Sequence, residues 1–265
     1  MKIALIGYGK MGRLLEQRLL EKGHEVCVVV DPLYSGTEKL PSGAAIYTSL
    51  AKATADCGEK SLKNVDAAIE YTHPDSAVEN LMFLTREKIP VVTGTTGWYA
   101  SLSNLEKAVK DSESSLLWSS NFSLGVHLFY RIAAHAAKLI DPFAEYDVAG
   151  FEVHHNNKAD SPSGTAKTLA ERVLAQMTRK KTAVYETLDR KPQPDELHYA
   201  SVRVGSVPGT HSLIFDSAAD TIEITHIARS RDGFAVGTIL AAQWLTAKKR
   251  SGLFTVDDVL TDILP

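Results

Sequence analysis

Residues that could donate protons and bind anions are concentrated in the stretch 151–166. Two adjacent imidazoles, His154 and His155, are followed by the ammonium group of Lys158. An imidazole can act as a general acid near neutral pH, and an ammonium group attracts anions. A single histidine in a loop would more simply be a solvated side chain. The combination predicts a site that protonates a small anionic molecule.

The start of a helix follows within the same stretch. Ser161 is a suitable N-cap, Pro162 suits the first helical position, and apolar residues recur at helical spacing over 166–177. The first N–H groups of a helix have no partner inside it. Residues 163–165 are therefore predicted to hold a carboxylate or a phosphate.

The elements that must position these residues fall into two parts. Up to about residue 121 the apolar patterns alternate between strand and helix, which predicts a parallel sheet with helices on both faces. Predicted strands are 3–6, 25–30, 67–71, 90–93 and 116–118, and predicted helices are 10–22, 75–87 and 101–111.

The second part has an α+β pattern, with a mixed sheet covered by helices on one face. We expect helices at 124–140, from Pro162 and at 234–246, strands at 147–154, 199–204, 211–216 and 221–228, and a loop at 180–196. The predicted fold is α/β, a Rossmann-type doubly wound parallel sheet with a second, smaller α+β domain. Residues 1–122 and 233–265 would bind a dinucleotide, and residues 123–232 would bind the substrate.

A glycine-rich turn follows the first strand and opens the first helix. Its residues fit the pattern G-x-G-x-x-G and are Gly7, Tyr8, Gly9, Lys10, Met11 and Gly12. In this context the glycines allow a tight turn, close approach of a pyrophosphate and close packing of helix on strand. The turn predicts a nicotinamide dinucleotide site.

The second strand ends at Asp31, where a carboxylate can accept hydrogen bonds from ribose hydroxyls. Pro32 stands where an arginine would favour a 2′-phosphate, so we expect NADH to be favoured over NADPH. Lys10, Arg13 or Lys39 could still supply a cation. The alternative for Asp31 is a plain turn residue.

Two further turns lie at the predicted carboxyl ends of parallel strands, where ligands bind in such sheets. Their residues are Gly94, Thr95 and Thr96 after one strand, and Ser119, Ser120, Asn121 and Phe122 after another. A plain turn before the next helix is the simpler interpretation of each. His211 and His226 lie within predicted strands and are interpreted as structural.

Composition excludes several classes of partner. The chain has 265 residues, 44% hydrophobic and 23% charged, and its net charge is −3, so neither nucleic acid nor an anionic membrane is expected. Cys27 and Cys57 make no disulfide framework. Adjacent strand histidines and the lack of a cysteine pair predict no metal site. No leader or membrane-spanning run is evident, and a cytoplasmic location is expected.

The stretch 152–166 contains every fixed position of the pattern E-x-H-H-x-x-K-x-D-x-P-S-G-T-A. It closely resembles the signature of the 4-hydroxy-tetrahydrodipicolinate reductase (dihydrodipicolinate reductase) family, and the segments around 94–97, 119–123 and 207–211 also match. The resemblance implies reduction of a cyclic imine dicarboxylate in lysine and diaminopimelate biosynthesis with NADH or NADPH. It also implies a cytoplasmic homotetramer assembled through the sheets of the second domain.

The resemblance also implies roles for individual residues. His154 would be the general acid, Lys158 would assist it, and His155 would bind substrate. Ser163, Gly164 and Thr165 would hold a ring carboxylate. The turns at 94–97 and 119–123 would contact the cofactor and the domain junction.

Two other functions remain open. Another NAD(P)-dependent two-domain dehydrogenase of amino-acid metabolism would explain the dinucleotide motif but not the histidine–lysine stretch joined to Ser-Gly-Thr. A non-catalytic nicotinamide-sensing module would have no need of a proton donor such as His154.

Overall fold

The structure is a computed structural model that describes residues 1–34 and 39–264. The chain splits into two compact units, one formed by Met1–Ser123 with Asp232–Pro265 and the other by Leu124–Arg231. Among the described residues no helix is both long and apolar enough to cross a membrane.

The first unit is built on a sheet of seven strands that all run parallel. The strands are β1 (Lys2–Ile6), β2 (Glu25–Val30), β3 (Ala45–Tyr47), β4 (Ala67–Glu70), β5 (Val91–Thr93), β6 (Ser115–Trp118) and β12 (Gly252–Thr255). Their order in the sheet is β12-β6-β5-β4-β1-β2-β3. The order reverses between β1 and β4, which is the switch point of a Rossmann-type sheet.

Helices cover this sheet because its central strands are apolar on both faces. They are α1 (Lys10–Glu21), α2 (Leu50–Ala55), α3 (Pro74–Arg86), α4 (Leu102–Ser112), α7 (Asp232–Ala247) and α8 (Val256–Ile263). Ala4 and Ile6 of β1 pack in one core with Leu81 of α3 and Leu105 of α4. Alternate residues of β1 point to the opposite face, and α1 and α7 pack against each other and against the strands there.

The second unit carries a mixed sheet of five strands and two helices. The strands are β7 (Asp147–His154), β8 (Thr182–Val184), β9 (Glu196–Arg203), β10 (Thr210–Asp216) and β11 (Thr221–Ile227), and the helices are α5 (Leu124–Ile140) and α6 (Gly164–Leu174). The strand order is β11-β10-β7-β9-β8. β7 pairs parallel with β9 and antiparallel with β10. Apolar residues of α5, α6 and one face of the sheet form a single core around Tyr199 and Phe215.

The predicted fold class is confirmed, with corrections to individual elements. The sequence analysis missed β3, α2, β12 and α8, and β8 lies within 180–196, which was predicted to be a loop. The predicted N-cap at Ser161 is also wrong. Helix α6 begins at Gly164, and its cap is Ser163, whose side chain accepts a hydrogen bond from the Ala166 N–H group.

Gly150 gives a test of packing in the second unit. A β-carbon there would lie 2.4 Å from a ring atom of Tyr199, which is fully buried. We expect Gly150→Ala to lower the free energy of unfolding by about 1–3 kcal/mol through overpacking. The measurement is chemical denaturation, with Gly164→Ala as the control, because nothing lies within 4 Å of a β-carbon at Gly164. Equal stability of the two variants would contradict the packing described here.

Candidate active site

The predicted proton donor and the predicted anion site lie close together in the second unit. β7 ends at His154, and the loop that follows returns to Ser163 at the start of α6. The loop is tied to the end of β9, since the Val204 N–H group donates to the His154 carbonyl and the Asn156 N–H group donates to the Gly205 carbonyl.

A fully buried carboxylate, Glu152 of β7, joins these elements. Its Oε1 atom accepts hydrogen bonds from the Ser163 N–H group at 3.0 Å, the Ser201 hydroxyl at 2.9 Å and the Arg203 guanidinium at 3.0 Å. The Ser163 hydroxyl donates to Oε2. Burial alone would raise the pKa of Glu152, but these hydrogen bonds hold it below its usual range, so the group is ionised.

His154 lies directly beside this carboxylate. Its Nδ1 atom is 3.3 Å from Oε2 of Glu152, and the residue is 7% exposed. Burial lowers the pKa of His154, and the charge of Glu152 opposes that effect. The other ring nitrogen, Nε2, faces Gly209, where a β-carbon would come within 3.1 Å of it. A side chain at this position would therefore press on the His154 ring, and glycine leaves room for that ring.

His211, which the sequence analysis interpreted as structural, belongs to the same cluster. Its ring lies 5.1 Å from the His154 ring in an edge-on arrangement, and the Tyr199 hydroxyl is 3.2 Å from its Nδ1 atom. Burial lowers the pKa of His211, so it is neutral near pH 7. The antiparallel register that places His211 opposite Glu152 brings it here, and no local pattern in the sequence indicates that pairing.

The predicted cation, Lys158, forms an ion pair with Asp160. Its Nζ atom is 2.7 Å from Oδ1 of Asp160, and 22% of the Lys158 side chain is exposed. The Lys158 ammonium and the Gly164 N–H group together hold the pKa of Asp160 below its usual range. A carboxylate thus already lies between the cation and the helix start that were predicted to bind one.

The three predicted anion-binding residues differ in their contacts. The N–H group of Ser163 is used by Glu152, so it does not face outward as expected. Gly164 is exposed with open space before it, and Thr165 is half-buried. His155, directly after the end of β7, is half-buried too.

Glu152, His154 and His211 bring one potential metal-ligand atom each within 4.8 Å of one another. The carboxylate oxygens of Glu152 already accept four hydrogen bonds, one of them from the Arg203 guanidinium. A cation next to that guanidinium would be repelled. The donor set therefore suits a hydrogen-bonded cluster better than a metal site, and the absence of a metal stays a prediction.

In the first unit, the glycine-rich turn has the geometry of a phosphate-binding turn. Gly7 has a φ of +89°, and a β-carbon there would lie 2.1 Å from the Tyr71 carbonyl oxygen. A β-carbon at Gly12 would lie 2.4 Å from the Gly7 carbonyl oxygen, whereas the space before Gly9 is open. These are the three roles expected of glycines in a dinucleotide-binding turn.

A cavity of about 500 Å³ adjoins this turn. Gly7, Tyr8, Gly9 and Asp31 line it, so four of the predicted cofactor residues converge there. The Asp31 carboxylate accepts hydrogen bonds from the N–H groups of Tyr8 and Leu33 at 2.8 and 2.9 Å. Lys10 is exposed, and neither it, Met11 nor Gly12 is among the lining residues.

The turn after β5 is stabilised by hydrogen bonds to a second buried carboxylate, Glu70. It accepts hydrogen bonds from the hydroxyls of Thr72, Thr93 and Thr95, and burial raises its pKa against their effect. Thr95 also accepts the Thr72 N–H group at 2.8 Å. A β-carbon at Gly94 would lie 2.2 Å from the Tyr71 ring, and Thr96 is exposed.

The turn after β6 is held mainly by its own hydrogen bonds. The Ser119 hydroxyl donates to the Asn121 carbonyl at 2.6 Å, and the Asn121 side chain accepts the Ser123 N–H group at 2.7 Å. Ser120 is exposed, but Phe122 is 1% exposed and its ring lies 6.5 Å from that of Tyr71. Phe122 is thus a core residue, and none of the predicted residues of these two turns lines the cavity.

Two family models match this chain over nearly its whole length. The model described as dihydrodipicolinate reductase, N-terminus, matches residues 1–122, and the model described as dihydrodipicolinate reductase, C-terminus, matches residues 125–260. The chain belongs to the dihydrodipicolinate reductase family. The resemblance stated from the sequence is thereby confirmed.

Curated relatives of this chain are named 4-hydroxy-tetrahydrodipicolinate reductase. A 4-hydroxy-tetrahydrodipicolinate reductase of Christiangramia forsetii is 35% identical over 265 residues, 99% of each chain. One of Staphylococcus aureus is 34% identical over 264 residues, 98% of this chain and all of the relative. Proteins of this dihydrodipicolinate reductase family are oxidoreductases that use a nicotinamide cofactor.

Solved structures share the fold. A dipicolinate-bound dihydrodipicolinate reductase of Paenisporosarcina sp. TG-14 has a TM-score of 0.75 at 21% identity, covering 100% of this chain and 99% of that one. An amine dehydrogenase of Mycobacterium smegmatis has a TM-score of 0.62 at 14% identity, covering 97% and 95%. The fold is thus shared with dehydrogenases outside the dihydrodipicolinate reductase family.

Proposed function

We propose that this chain reduces 4-hydroxy-tetrahydrodipicolinate to tetrahydrodipicolinate in lysine and diaminopimelate biosynthesis. The observation that carries the proposal is the arrangement of His154 beside Glu152, next to a helix start and Lys158. Family membership gives the substrate class, a cyclic imine dicarboxylate. The proton donor, the cation and the anion site meet the needs of that substrate.

The two units would have different roles. Met1–Ser123 with Asp232–Pro265 would bind the dinucleotide, and Leu124–Arg231 would bind the substrate. The first unit fits a dinucleotide because a β-carbon at Gly7 would meet backbone and the space before Gly9 is open. The dinucleotide would be held by Gly7, Tyr8, Gly9 and Asp31. The turns that carry Thr95 and Ser119 belong to the same unit and would contribute further contacts. The nicotinamide, when bound, supplies a hydride.

The substrate carboxylates would be held by charge and by backbone. Lys158 and the Gly164 N–H group now share the Asp160 carboxylate, which is more than half exposed. An exposed ion pair contributes only about 0–1 kcal/mol, so a substrate carboxylate can replace Asp160 at small cost. Thr165 and His155 would make the remaining polar contacts.

The proton would come from Nε2 of His154. Hydride addition to the conjugated C=N/C=C system leaves an enamine or carbanion, and a positioned imidazolium can protonate the carbon. The ionised Glu152 stabilises the imidazolium before the transfer. The Lys158 ammonium would stabilise developing negative charge.

NADH would be used at least as well as NADPH. The cavity beside Asp31 is lined by two carboxylate residues, Asp31 and Glu79, and by no lysine or arginine among the described residues. Arg13 stacks on the Tyr8 ring at 4.8 Å, and with Lys39 it lines a different cavity that also contains Glu16. A 2′-phosphate would therefore meet negative charge at Asp31.

A homotetramer formed through the second-unit sheets is supported by the composition of one sheet face. The face opposite α5 and α6 carries apolar side chains of β7, β9, β10 and β11, among them Phe151, Val202 and Ile227. Val202 is 46% exposed and Ile227 is 64% exposed. An apolar patch of this kind marks a protein interface.

The reaction is tested by following substrate-dependent oxidation of NADH and NADPH, with substrate supplied by the preceding synthase. We expect turnover in the native chain and a loss of kcat by about 10²–10⁴-fold in His154→Ala and in Lys158→Ala. The Kd for NADH should hardly change, because both residues lie outside the dinucleotide-binding unit.

His135→Ala and Lys138→Ala are matched controls, since both residues are exposed on α5. They should keep native turnover. A folded native chain that oxidises neither cofactor in the presence of substrate would refute the proposed function. A fully active His154→Ala variant would show that another group donates the proton, most simply Lys158 or water.

Cofactor preference is tested at Asp31. We expect Asp31→Asn to raise kcat/KM for NADPH relative to NADH by about tenfold, because it removes a charge near the 2′-phosphate while its side-chain oxygen can still accept a hydrogen bond. Asp66→Asn, in the turn before β4, should leave the ratio unchanged. A strong NADPH preference in the native chain would mean that Lys10, Arg13 or Lys39 forms a phosphate site.

Assembly is tested at Val202. We expect light scattering to give the mass of four chains for the native protein and a smaller mass for Val202→Asp, because a buried unpaired carboxylate is unfavourable. Ile263→Asp is the control, since Ile263 is 51% exposed on α8 in the other unit. Dissociation by Ile263→Asp with no effect of Val202→Asp would place the interface elsewhere.

A further inference from the structure

We propose that Glu152 is a positioning residue for the reaction: it fixes the tautomer of His154 and ties that imidazole to the start of α6. The proposal rests on the proposed function, in which His154 donates the proton. It concerns a residue that has no direct part in binding the substrate or the cofactor.

The hydrogen bonds of Glu152 leave its Oε2 atom able to accept one more, from the side of the two imidazoles. Oε1 is occupied by donors from Ser163, Ser201 and Arg203. Oε2 accepts the Ser163 hydroxyl and otherwise faces the two imidazoles, with His154 Nδ1 at 3.3 Å and His211 Nδ1 at 3.9 Å. The nearer imidazole is that of the proposed acid.

The Nδ1 atom of His154 needs this partner. It is buried, and it has no aligned hydrogen bond among the described residues. Buried polar atoms in native proteins are normally paired, and hydrogen bonds of catalytic groups are often long until substrate binds. Because Nδ1 and Oε2 are only 3.3 Å apart, a small rotation of the imidazole ring alone would let Nδ1–H donate to Oε2.

The tautomer then determines which nitrogen transfers the proton. With Nδ1–H held by Glu152, the imidazolium loses its other proton from Nε2, the ring nitrogen on the side of Gly209. The Nε2–H bond breaks, a C–H bond forms on the reduced ring, and the electron pair of the N–H bond stays on Nε2. Glu152 remains ionised throughout, and His154 ends neutral with its proton on Nδ1.

Glu152 also links the acid to the anion site. Its two contacts to Ser163 involve the residue that caps α6, and Gly164 follows directly. Arg203 donates both to Glu152 and to the Asp160 carbonyl, at 3.0 and 2.8 Å. One carboxylate therefore sets the separation between the proton donor and the helix start.

The alternative is that Glu152 only fastens the loop, in which case its charge would not influence His154. The charged and titratable groups that face His154 are Glu152 on its own strand, Lys158 and Asp160 in the loop, Arg203 on β9 and His211 on β10. Lys158 and Arg203 lower the pKa of His154, and Glu152 and Asp160 raise it. Glu152 makes the largest of the charge contributions, and its removal should be visible in a pH profile.

The first experiment is the dependence of kcat on pH in Glu152→Gln. The acid must be protonated, so kcat falls as pH rises through the pKa of His154. Loss of an opposite charge within about 4 Å should lower that pKa by about one unit. The alkaline limb should therefore move about one unit lower, with about a tenfold loss of kcat on that limb, while the Kd for NADH is unchanged.

Two variants serve as controls. Ser201→Ala removes one donor to Glu152 without touching His154 and should keep the native limb. Glu152→Asp retains the charge and should keep the limb closer to the native position than Glu152→Gln does. A folded Glu152→Gln variant in which kcat falls over the same alkaline pH range as in the native chain would overturn the proposal.

The second experiment needs no change at Glu152. Nitrogen NMR of the native chain, labelled with 15N in its nine histidines and assigned with His154→Gln, reports the tautomer of neutral His154 above its pKa. We expect protonated Nδ1 and bare Nε2. An active chain whose His154 carries the proton on Nε2 would overturn this proposal alone, whereas the expected tautomer in an inactive chain would refute the proposed function alone.

Discussion

The carboxylate of Glu152 has no exposure to solvent, and the second unit is organised by the need to compensate its charge. A buried ionised carboxylate is very unfavourable unless hydrogen bonds and an opposite charge replace water. Ser163, Ser201 and Arg203 supply that replacement from α6 and β9. The same bonds fix where the loop after β7 returns to the start of α6, and the apolar residues of α6 pack the rest of the helix in the core.

This constraint explains why the start of α6 was misplaced from the sequence. Ser161 and Pro162 have the residue types of an N-cap and a first helical residue, and local preferences favour them. Ser163 takes the role instead because its hydroxyl both accepts from Ala166 and donates to Glu152. A hydroxyl can do both, and burial of Glu152 makes the second bond decisive.

The first unit uses the same kind of constraint at a different strand end. Glu70 ends β4 and is buried, and the hydroxyls of Thr72, Thr93 and Thr95 donate to it, from the two turns and the end of β5. Its pKa is raised by burial, in contrast to that of Glu152, which has a guanidinium beside it. The turn with Thr95 is therefore held by a carboxylate from the strand beside it.

The apolar periodicity of the sequence was sufficient to predict the bounds of long helices and strands. The strand that ends at His154 and the helix over 124–140 have the predicted bounds, because each has a regular apolar pattern of full length. β3 and β8 are three residues each, too short for a pattern, and β8 lies in a charged stretch with prolines nearby. Their pairing with longer strands, rather than local preference, makes them strands.

Within the site, residue types predicted the donors but not the residues that orient them. His154, Lys158 and the helix start form a local motif, so a linear pattern contains them. His211, Ser201 and Arg203 reach the same cluster from strands that pair with β7, and register is a property of the folded sheet. Glu152 was visible as a position of the motif, but its burial and its partners were not.

The two acidic residues near the proposed acid differ in how readily they can be exchanged. Asp160 is 57% exposed at its side chain and pairs with Lys158, so replacing it by another carboxylate costs little. Glu152 is fully buried with four hydrogen bonds, and removing its carboxylate would leave the donors of Ser163, Ser201 and Arg203 without their acceptor. On the proposed function, a dicarboxylate substrate would therefore displace Asp160 and leave Glu152 in place. The charge that stabilises the imidazolium of His154 would then be the same before and after substrate binds.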